Sequence, residues 1–306
     1  MFMKKNMRLL GNALLMLSLI AFTGCKELVA FLDNPVNAYM EMDETELTIH
    51  VGETAVRRAE TISTNPVIYT SSDTTVVTVD PLTGEVTGVD GGTATITARV
   101  EANDDFNADV KTYNVTCYKD VSYASAGDEG RLVCKDGHIH KLTGEEYCQA
   151  ERMAMVAYVG NESNCAHGLA IAFKDINDEA GSLDWEEAKA YVDTWEEKYP
   201  VANATWRMPS NDDYQYMVIG CGSTTAYRSH LYFSYRMDME GLNSKMTEAG
   251  AEPIVGLHWT SDAYDKYNAW EVHMNTKSEE DDPVLLAFVY FGTSSNGDKT
   301  RYCLAF

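Results

Sequence analysis

The sequence predicts a mainly β protein with an α+β part: a β-sandwich on the N-terminal side, followed by an α+β domain. Three observations lead there. Short apolar runs of period two recur at about ten-residue spacing between residues 40 and 119, separated by Gly, Pro and Asp turns. Beyond residue 120, strand-like runs surround two segments of helical period, each opened by a capping residue. The length of 306 residues suits about two domains, and 45% hydrophobic against 23% charged residues excludes disorder of the whole chain.

The chain opens with Lys4, Lys5 and Arg8 before an apolar run from Leu9 to Phe22, and Thr23-Gly24-Cys25 closes it. A basic start, a short apolar stretch and small residues before a cut describe an export signal over residues 1–24. The run is too short for a spanning helix, which needs roughly 20 residues. A cysteine directly after the small residues resembles a bacterial lipobox, with Phe22 where Leu is usual. That resemblance implies diacylation of Cys25 and a lipid anchor in the bacterial cell envelope, with outer membrane and surface exposure expected. More than one acyl chain is what holds a protein stably on a bilayer. Residues 25–37 then read as a tether.

Strand signals follow in order. Leu47-Thr48-Ile49-His50-Val51 alternates, and Gly52-Glu53 turns the chain. Val67-Ile68-Tyr69-Thr70, Val76-Val77-Thr78-Val79, Thr93 to Val100 and Tyr113 to Cys117 continue the series, with Pro81-Leu82-Thr83-Gly84 as a turn. Short strands at such spacing describe a sandwich over residues 38–120. The blocks Val51-Gly52-Glu53-Thr54, Thr70-Ser71-Ser72-Asp73, Val76 to Asp80, Gly84 to Val89 and Gly92 to Thr97 resemble the bacterial group-2 immunoglobulin-like domain. Tyr69 stands where that family usually has Trp. The resemblance implies an immunoglobulin-like β-sandwich acting as a spacer or adhesion module, without catalytic residues.

Residues 121–306 have mixed character. Asp184-Trp185-Glu186-Glu187 is an Asp-led capping box, and Trp185, Ala188, Tyr191, Val192, Trp195 and Tyr199 share one helical face before Pro200. Ser210 opens a second helix through Met217, Val218 and Ile219, with Gly220 expected as its stop. Strand-like runs include Leu132-Val133-Cys134, Met155 to Val159, Leu169 to Phe173, His258 to Ser261, Ala269 to Val272, Leu285 to Phe291 and Arg301 to Phe306. Lys135-Asp136-Gly137-His138 is a hairpin turn. The stretch from Gly222 to Gly256 reads as a long irregular connection, and such loops tend to carry function.

Gly168 to Ala172, Trp185 to Ala188, Thr205-Trp206-Arg207-Met208-Pro209-Ser210, Trp259-Thr260-Ser261 and Asn268-Ala269-Trp270 resemble the Fibrobacter-type major paralogous domain. That family is similar to C-type-lectin-like modules on bacterial lipoproteins, so the resemblance implies a C-terminal C-type-lectin-like α+β domain with a loop-rich ligand face. It does not by itself imply sugar binding. The Glu-Pro-Asn and Trp-Asn-Asp triplets of calcium-dependent lectins are absent from the sequence. The lectin-like fold also occurs in formylglycine-forming oxidases, which work through paired cysteines; Cys221 and Cys303 stand outside any matching motif.

Composition excludes several functions. Lys+Arg number 24 against 47 Asp+Glu, a net charge of −23, with no basic cluster for nucleic acid. No Gly-x-Ser-x-Gly, His-Glu-x-x-His or phosphate-loop motif occurs, and no cofactor is expected. Beyond Cys25, the cysteines Cys117, Cys134, Cys148, Cys165, Cys221 and Cys303 permit disulfides or buried thiols without choosing between them. His138-Ile139-His140 puts two imidazoles on one strand face, but no further ligand stands at convincing spacing, so a polar hairpin is the better reading. Cys165-Ala166-His167 reads as structural, and Glu279 to Asp282 as a solvated turn. Trp206 is expected in the core, with Arg207 in an internal ion pair or backbone contact.

Binding is therefore expected on loops. Arg228, Tyr232, Tyr235, Asp262, Tyr264 and Tyr267 fall in predicted connections, where amphipathic rings beside charges suit recognition of an extracellular protein or glycan. The expected protein is a lipid-anchored, non-catalytic surface binding or adhesion protein; the alternative is a glycan-processing accessory or enzyme using the C-terminal domain.

Overall fold

The computed structural model describes residues 35–42, 44–142, 152–223, 226–229, 234–263, 265, 268–274, 286–293 and 299–306. The described chain is mainly β and divides into two compact units. One takes the described residues up to Leu47 with Thr54–Thr87 and Thr93–Val115; the other takes Thr48–Glu53, Gly88–Gly92 and Thr116–Phe306.

The first nine strands are β1 (Val36–Asn37), β2 (Glu46–His50), β3 (Thr54–Val56), β4 (Val67–Ser71), β5 (Val77–Val79), β6 (Glu85–Gly88), β7 (Gly92–Val100), β8 (Phe106–Asn107) and β9 (Asp109–Tyr118). They form a four-stranded sheet, β2-β9-β7-β4, a three-stranded sheet, β3-β6-β5, and a small parallel pair of β1 with β8. The alternation read from the sequence appears as alternating burial. On β7, Ala94, Ile96, Ala98 and Val100 are buried, and on β9 Tyr113, Val115 and Cys117. Tyr69 is buried too, its hydroxyl accepting from the Ala59 N–H at 2.8 Å. Gly84 sits at φ +71°, and a Cβ there would lie 2.9 Å from both the Tyr69 ring and the Arg57 carbonyl, so only glycine fits this turn.

The remaining strands are β10 (Leu132–Cys134), β11 (Ile139–His140), β12 (Arg152–Val159), β13 (Gly168–Ala172), β14 (Thr205–Arg207), β15 (Ala226–Ser229), β16 (Ser234–Asp238), β17 (Gly256–Ala263), β18 (Asn268–Met274), β19 (Leu286–Thr293) and β20 (Cys303–Ala305). Four helices accompany them: α1 (Asn177–Ala180), α2 (Trp185–Lys198), α3 (Asn211–Gly220) and α4 (Glu240–Glu248). An antiparallel six-stranded sheet runs β11-β10-β12-β13-β20-β14, and a five-stranded sheet runs β15-β16-β19-β18-β17. The first of these is buried on both faces. Leu132, Met155, Ala157, Leu169, Ile171 and Cys303 pack toward Tyr214, Met217 and Val218 of α3 and Leu242 and Met246 of α4. Their alternates Val133, Ala154, Val156, Ala170, Ala172 and Leu304 pack toward Trp185, Ala188 and Trp195 of α2.

Both expected helices are present with their expected caps. Asp184 accepts from the Glu187 N–H while Glu187 reaches back to the Asp184 N–H, and Ser210 and Asp213 do the same for α3. Gly220 is not the stop. The helix runs through it to cap at Cys221, and a Cβ on Gly220 would lie 2.4 Å from the Ala157 carbonyl, so this glycine serves close approach of α3 to β12.

The irregular connection expected over residues 222–256 is corrected outright. It carries β15, β16 and α4. Helix α4 forms because Leu242 and Met246, four residues apart, both bury in the core, which outweighs the poor propensities of Gly241, Asn243 and Ser244. Asn243 locks the exit: its side chain accepts from the Ile254 N–H at 2.8 Å and donates to the Ile254 carbonyl at 3.1 Å.

Candidate functional site

The second unit contains a groove of about 320 Å³ lined by α2, β12, β13, β14 and the residues after α4. Its walls carry four rings, Phe173, Trp195, Tyr199 and Trp206, with Met153 and Ala172 between them and Arg152, Lys174 and Glu252 at polar positions. A mostly apolar lining with a few polar groups, at this size, is what small-ligand sites share.

The rings are placed by the capped helix. From Asp184, the 3.6-residue period brings Trp185, Ala188 and Trp195 inward, and Trp185 fixes the helix start by donating from its indole to the Thr260 carbonyl at 2.7 Å. Tyr199 follows at the C-cap, with its ring 4.6 Å from that of Trp195. Trp206, on edge strand β14, stands edge-on to Trp195 with centroids 6.1 Å apart and donates its indole N–H to the Tyr199 carbonyl at 2.6 Å. Its backbone N–H is held by Glu196 at 2.7 Å. Trp195 differs from Trp206 in one respect: its indole N–H is buried without a partner. An unpaired buried donor costs about 1–3 kcal/mol, and the Trp259 indole shares that state.

The polar rim has its own order. Glu179 of α1 accepts from Lys174 at 2.8 Å and also pairs with Lys198 and the Tyr199 hydroxyl. Hydrogen bonds from Lys174, Lys198 and Tyr199 hold its carboxyl at about 2, and the same contact raises the Tyr199 phenol. Lys174 and Tyr199 are thereby oriented where they line the groove. Arg152 and Glu252 are exposed.

Beside the groove the polar clusters are internal. Arg207 pairs with Asp213 and donates to the Ser163 and Asn164 carbonyls at 2.6 and 3.1 Å, the internal pairing expected of it. Asp213, almost fully buried, also takes the Ser163 hydroxyl at 2.7 Å and the Ser210 N–H at 2.8 Å. Asp175 accepts from His258 Nε2 at 3.0 Å and Arg301 Nε at 2.7 Å, with both cationic-type side chains fully buried. Burial alone would raise the Asp175 carboxyl, but His258 and Arg301 outweigh it and hold it below the ordinary 3.8.

Of the residues expected to bind ligand, Tyr232, Tyr264 and Tyr267 lie outside the described residues, as do Cys25, Cys148 and the acidic run Glu279 to Asp282. Arg228 and Tyr235 are direct antiparallel partners on β15 and β16. Asp262 has a structural engagement: its carboxylate accepts the Asn211 N–H at the first turn of α3, at 2.8 Å. Cysteine chemistry resolves as well. Cys134 is disulfide-bonded, whereas Cys117, Cys165, Cys221 and Cys303 are buried free thiols. Burial pushes the Cys117 thiol up to about 11 and the Cys221 thiol up to about 12, the opposite of an activated nucleophile. His167 is exposed.

Around His138 and His140 the fold brings together groups that lie apart in the sequence. No third ligand was visible in the spacing, yet the fold sets His50 and Asp120 beside His138 and Asp136 beside both histidines. Backbone pairing of Asp120 with His138 is the cause, and nothing in local sequence signals it.

Residues 38–110 match the family model of the bacterial Ig-like domain (group 2). No curated protein matches the chain. Among the described residues, no helix is long and apolar enough to cross a membrane.

Proposed function

We propose that this is a non-catalytic binding protein of the bacterial cell surface, in which the immunoglobulin-like module serves as a spacer and the second unit takes the ligand in its aromatic groove. The observation that carries the binding reading is the groove itself: rings on the walls, with Arg152, Lys174 and Glu252 to orient a partner. An extracellular glycan or protein segment is the ligand class this suits, since rings supply contact area and the charged rim sets direction. The C-type-lectin-like resemblance is supported by two capped helices and by β20, next to the C-terminal residue, pairing between β13 and β14. The backbone register that pairs Arg228 with Tyr235 on β15 and β16 keeps that hairpin as a second candidate contact region. Probing glycan and peptide arrays with the full chain tests the reading; specific capture supports it, and turnover of a captured compound would favour the enzymatic alternative.

The anchor belongs to the same proposal. Cys25 is read as the acylated residue after cleavage of residues 1–24, with residues 25–37 as tether. Metabolic labelling with a fatty-acid analogue is expected to mark the wild type and not Cys25→Ala. Equal labelling of both would remove the lipid anchor from this account.

A further inference from the structure

The second unit holds a group of side chains that the binding groove does not use. His50 Nδ1 lies 3.2 Å from Asp120 Oδ2, and His138 Nε2 lies 3.1 Å from Asp120 Oδ1. One carboxylate thus stands between two imidazoles, and one ligand atom from each of the three residues lies within 4.8 Å of the others. A tetrahedral Zn²⁺ with ligands at about 2.0–2.1 Å separates its donor atoms by about 3.3 Å. The two observed separations are close to that value but run to different oxygens of Asp120, so a turn of that carboxylate brings one oxygen between the two imidazoles.

Hydrogen bonding alone accounts poorly for His138. Its second ring nitrogen, Nδ1, lies 3.1 Å from Asp136 Oδ2, so carboxylates flank both nitrogens. That Nδ1 is buried and outside hydrogen-bonding direction to any partner. A neutral imidazole carries one N–H and can satisfy only one of the two carboxylates. A cation on Nε2 leaves the proton on Nδ1, 3.1 Å from Asp136 Oδ2 but not aligned with it, so a small turn of the ring or carboxylate is needed to reach the carboxylate–histidine–metal order. His140 adds a third imidazole nearby; it is nearly buried, and its Nε2 also lacks a partner.

The framework is rigid where the donors sit. The segment carrying Asp120 is paired with the hairpin carrying His138, through Ile139 N–H to the Lys119 carbonyl at 2.7 Å and Val121 N–H to the Gly137 carbonyl at 2.9 Å. Lys119 is itself buried and ion-paired with Asp90 at 3.0 Å and Asp128 at 2.8 Å. The His138 ring stacks on Tyr118 with centroids 4.6 Å apart. Positioned donors of this kind lose little freedom when an ion binds.

We propose that His50 Nδ1, Asp120 and His138 Nε2 form a binding site for one divalent transition-metal ion of the zinc class, with Asp136 orienting His138 from behind. Two nitrogens and one oxygen leave a fourth coordination position open for water or for an oxygen of a bound molecule.

The test uses the metal-free full chain, titrated with Zn²⁺ by calorimetry and with Co²⁺ by visible absorption. One equivalent is expected to bind, with a Co²⁺ spectrum of tetrahedral intensity. His50→Asn, Asp120→Asn and His138→Asn are each expected to weaken binding by about 100-fold or more, and Asp136→Asn by roughly 10–100-fold. His167→Asn should change nothing. Melting in EDTA checks that the variants fold. If any do not, diethyl pyrocarbonate labelling of the wild type replaces them, with Zn²⁺ expected to protect His50 and His138 but not His167. Equal Zn²⁺ binding by the wild type and the folded His50→Asn/His138→Asn double variant would overturn the site. So would loss of binding in His140→Asn with none in His50→Asn, or labelling of His50 and His138 unchanged by Zn²⁺.

Discussion

Trp206→Ala is expected to strip the second unit of much of its stability. Trp206 is 3% exposed and packs in the cluster formed by Trp185, Trp195, Tyr302 and Leu304. Truncating a buried tryptophan costs about 3–5 kcal/mol through lost transfer energy and the cavity left behind. Here the edge-on contact with Trp195 is lost as well, and the Tyr199 carbonyl loses its indole donor. Whole domains are stable by only about 5–15 kcal/mol, so a large share of the margin is lost. Chemical denaturation of the full chain should therefore show the transition of the second unit moved sharply to lower denaturant. Trp206→Phe, which refills most of the volume without the N–H, should fall between. A Trp206→Ala protein that melts like wild type but no longer captures ligand would move Trp206 from the framework to the binding surface.

Asp175→Ala is expected to be as damaging for a different reason. Its carboxylate is the partner of two fully buried side chains, His258 and Arg301, and removing it strands the Arg301 charge inside the protein. Breaking a buried pair from one side costs about 3–5 kcal/mol. The pH dependence follows from the directions of the shifts. Asp175 is held below its ordinary 3.8, so its contribution is fully present above that pH and is lost as pH falls toward the folded value. Burial lowers the His258 imidazole below its ordinary 6.5, so the unfolded chain takes up that proton first and stability declines as pH falls below 6.5. Both act toward acid lability. Wild-type stability should fall as pH drops below 6.5 and fall further below 3.8. A stability that held steady on acidification would contradict the assignment.

How much could be read without coordinates depended on whether the cause was local. The capping boxes at Asp184 and Ser210 are local, each satisfied within three residues, and both helices were visible. The alternation of β7 is local, and so is the hairpin turn at Gly137, with its φ of +81°. The order of blocks from Val51 to Thr97 was enough to recognise the immunoglobulin-like module. Helix α4 was not visible, because only Leu242 and Met246 point inward and their burial depends on a sheet built from distant segments. The candidate groove could not be read either: Trp195 and Trp206 were placed in the core correctly, but that their neighbourhood stays open beside Arg152 and Glu252 is a property of packing. The donors around His138 come from three stretches of chain, with His50 and Asp120 alone 70 residues apart, a distance over which spacing carries no signal.

If the aromatic groove is the ligand site, its exposed rim should govern affinity without governing stability. Arg152 and Glu252 are exposed groove residues whose side chains are not part of the core, so Arg152→Ala/Glu252→Ala should leave the melting temperature near that of the wild type. Affinity for the compound best captured by the wild-type full chain is then measured on both proteins. A loss of about tenfold or more, equivalent to about 1.4 kcal/mol, is expected at unchanged stability. Equal affinity in the two proteins would contradict it and place recognition elsewhere on the molecule.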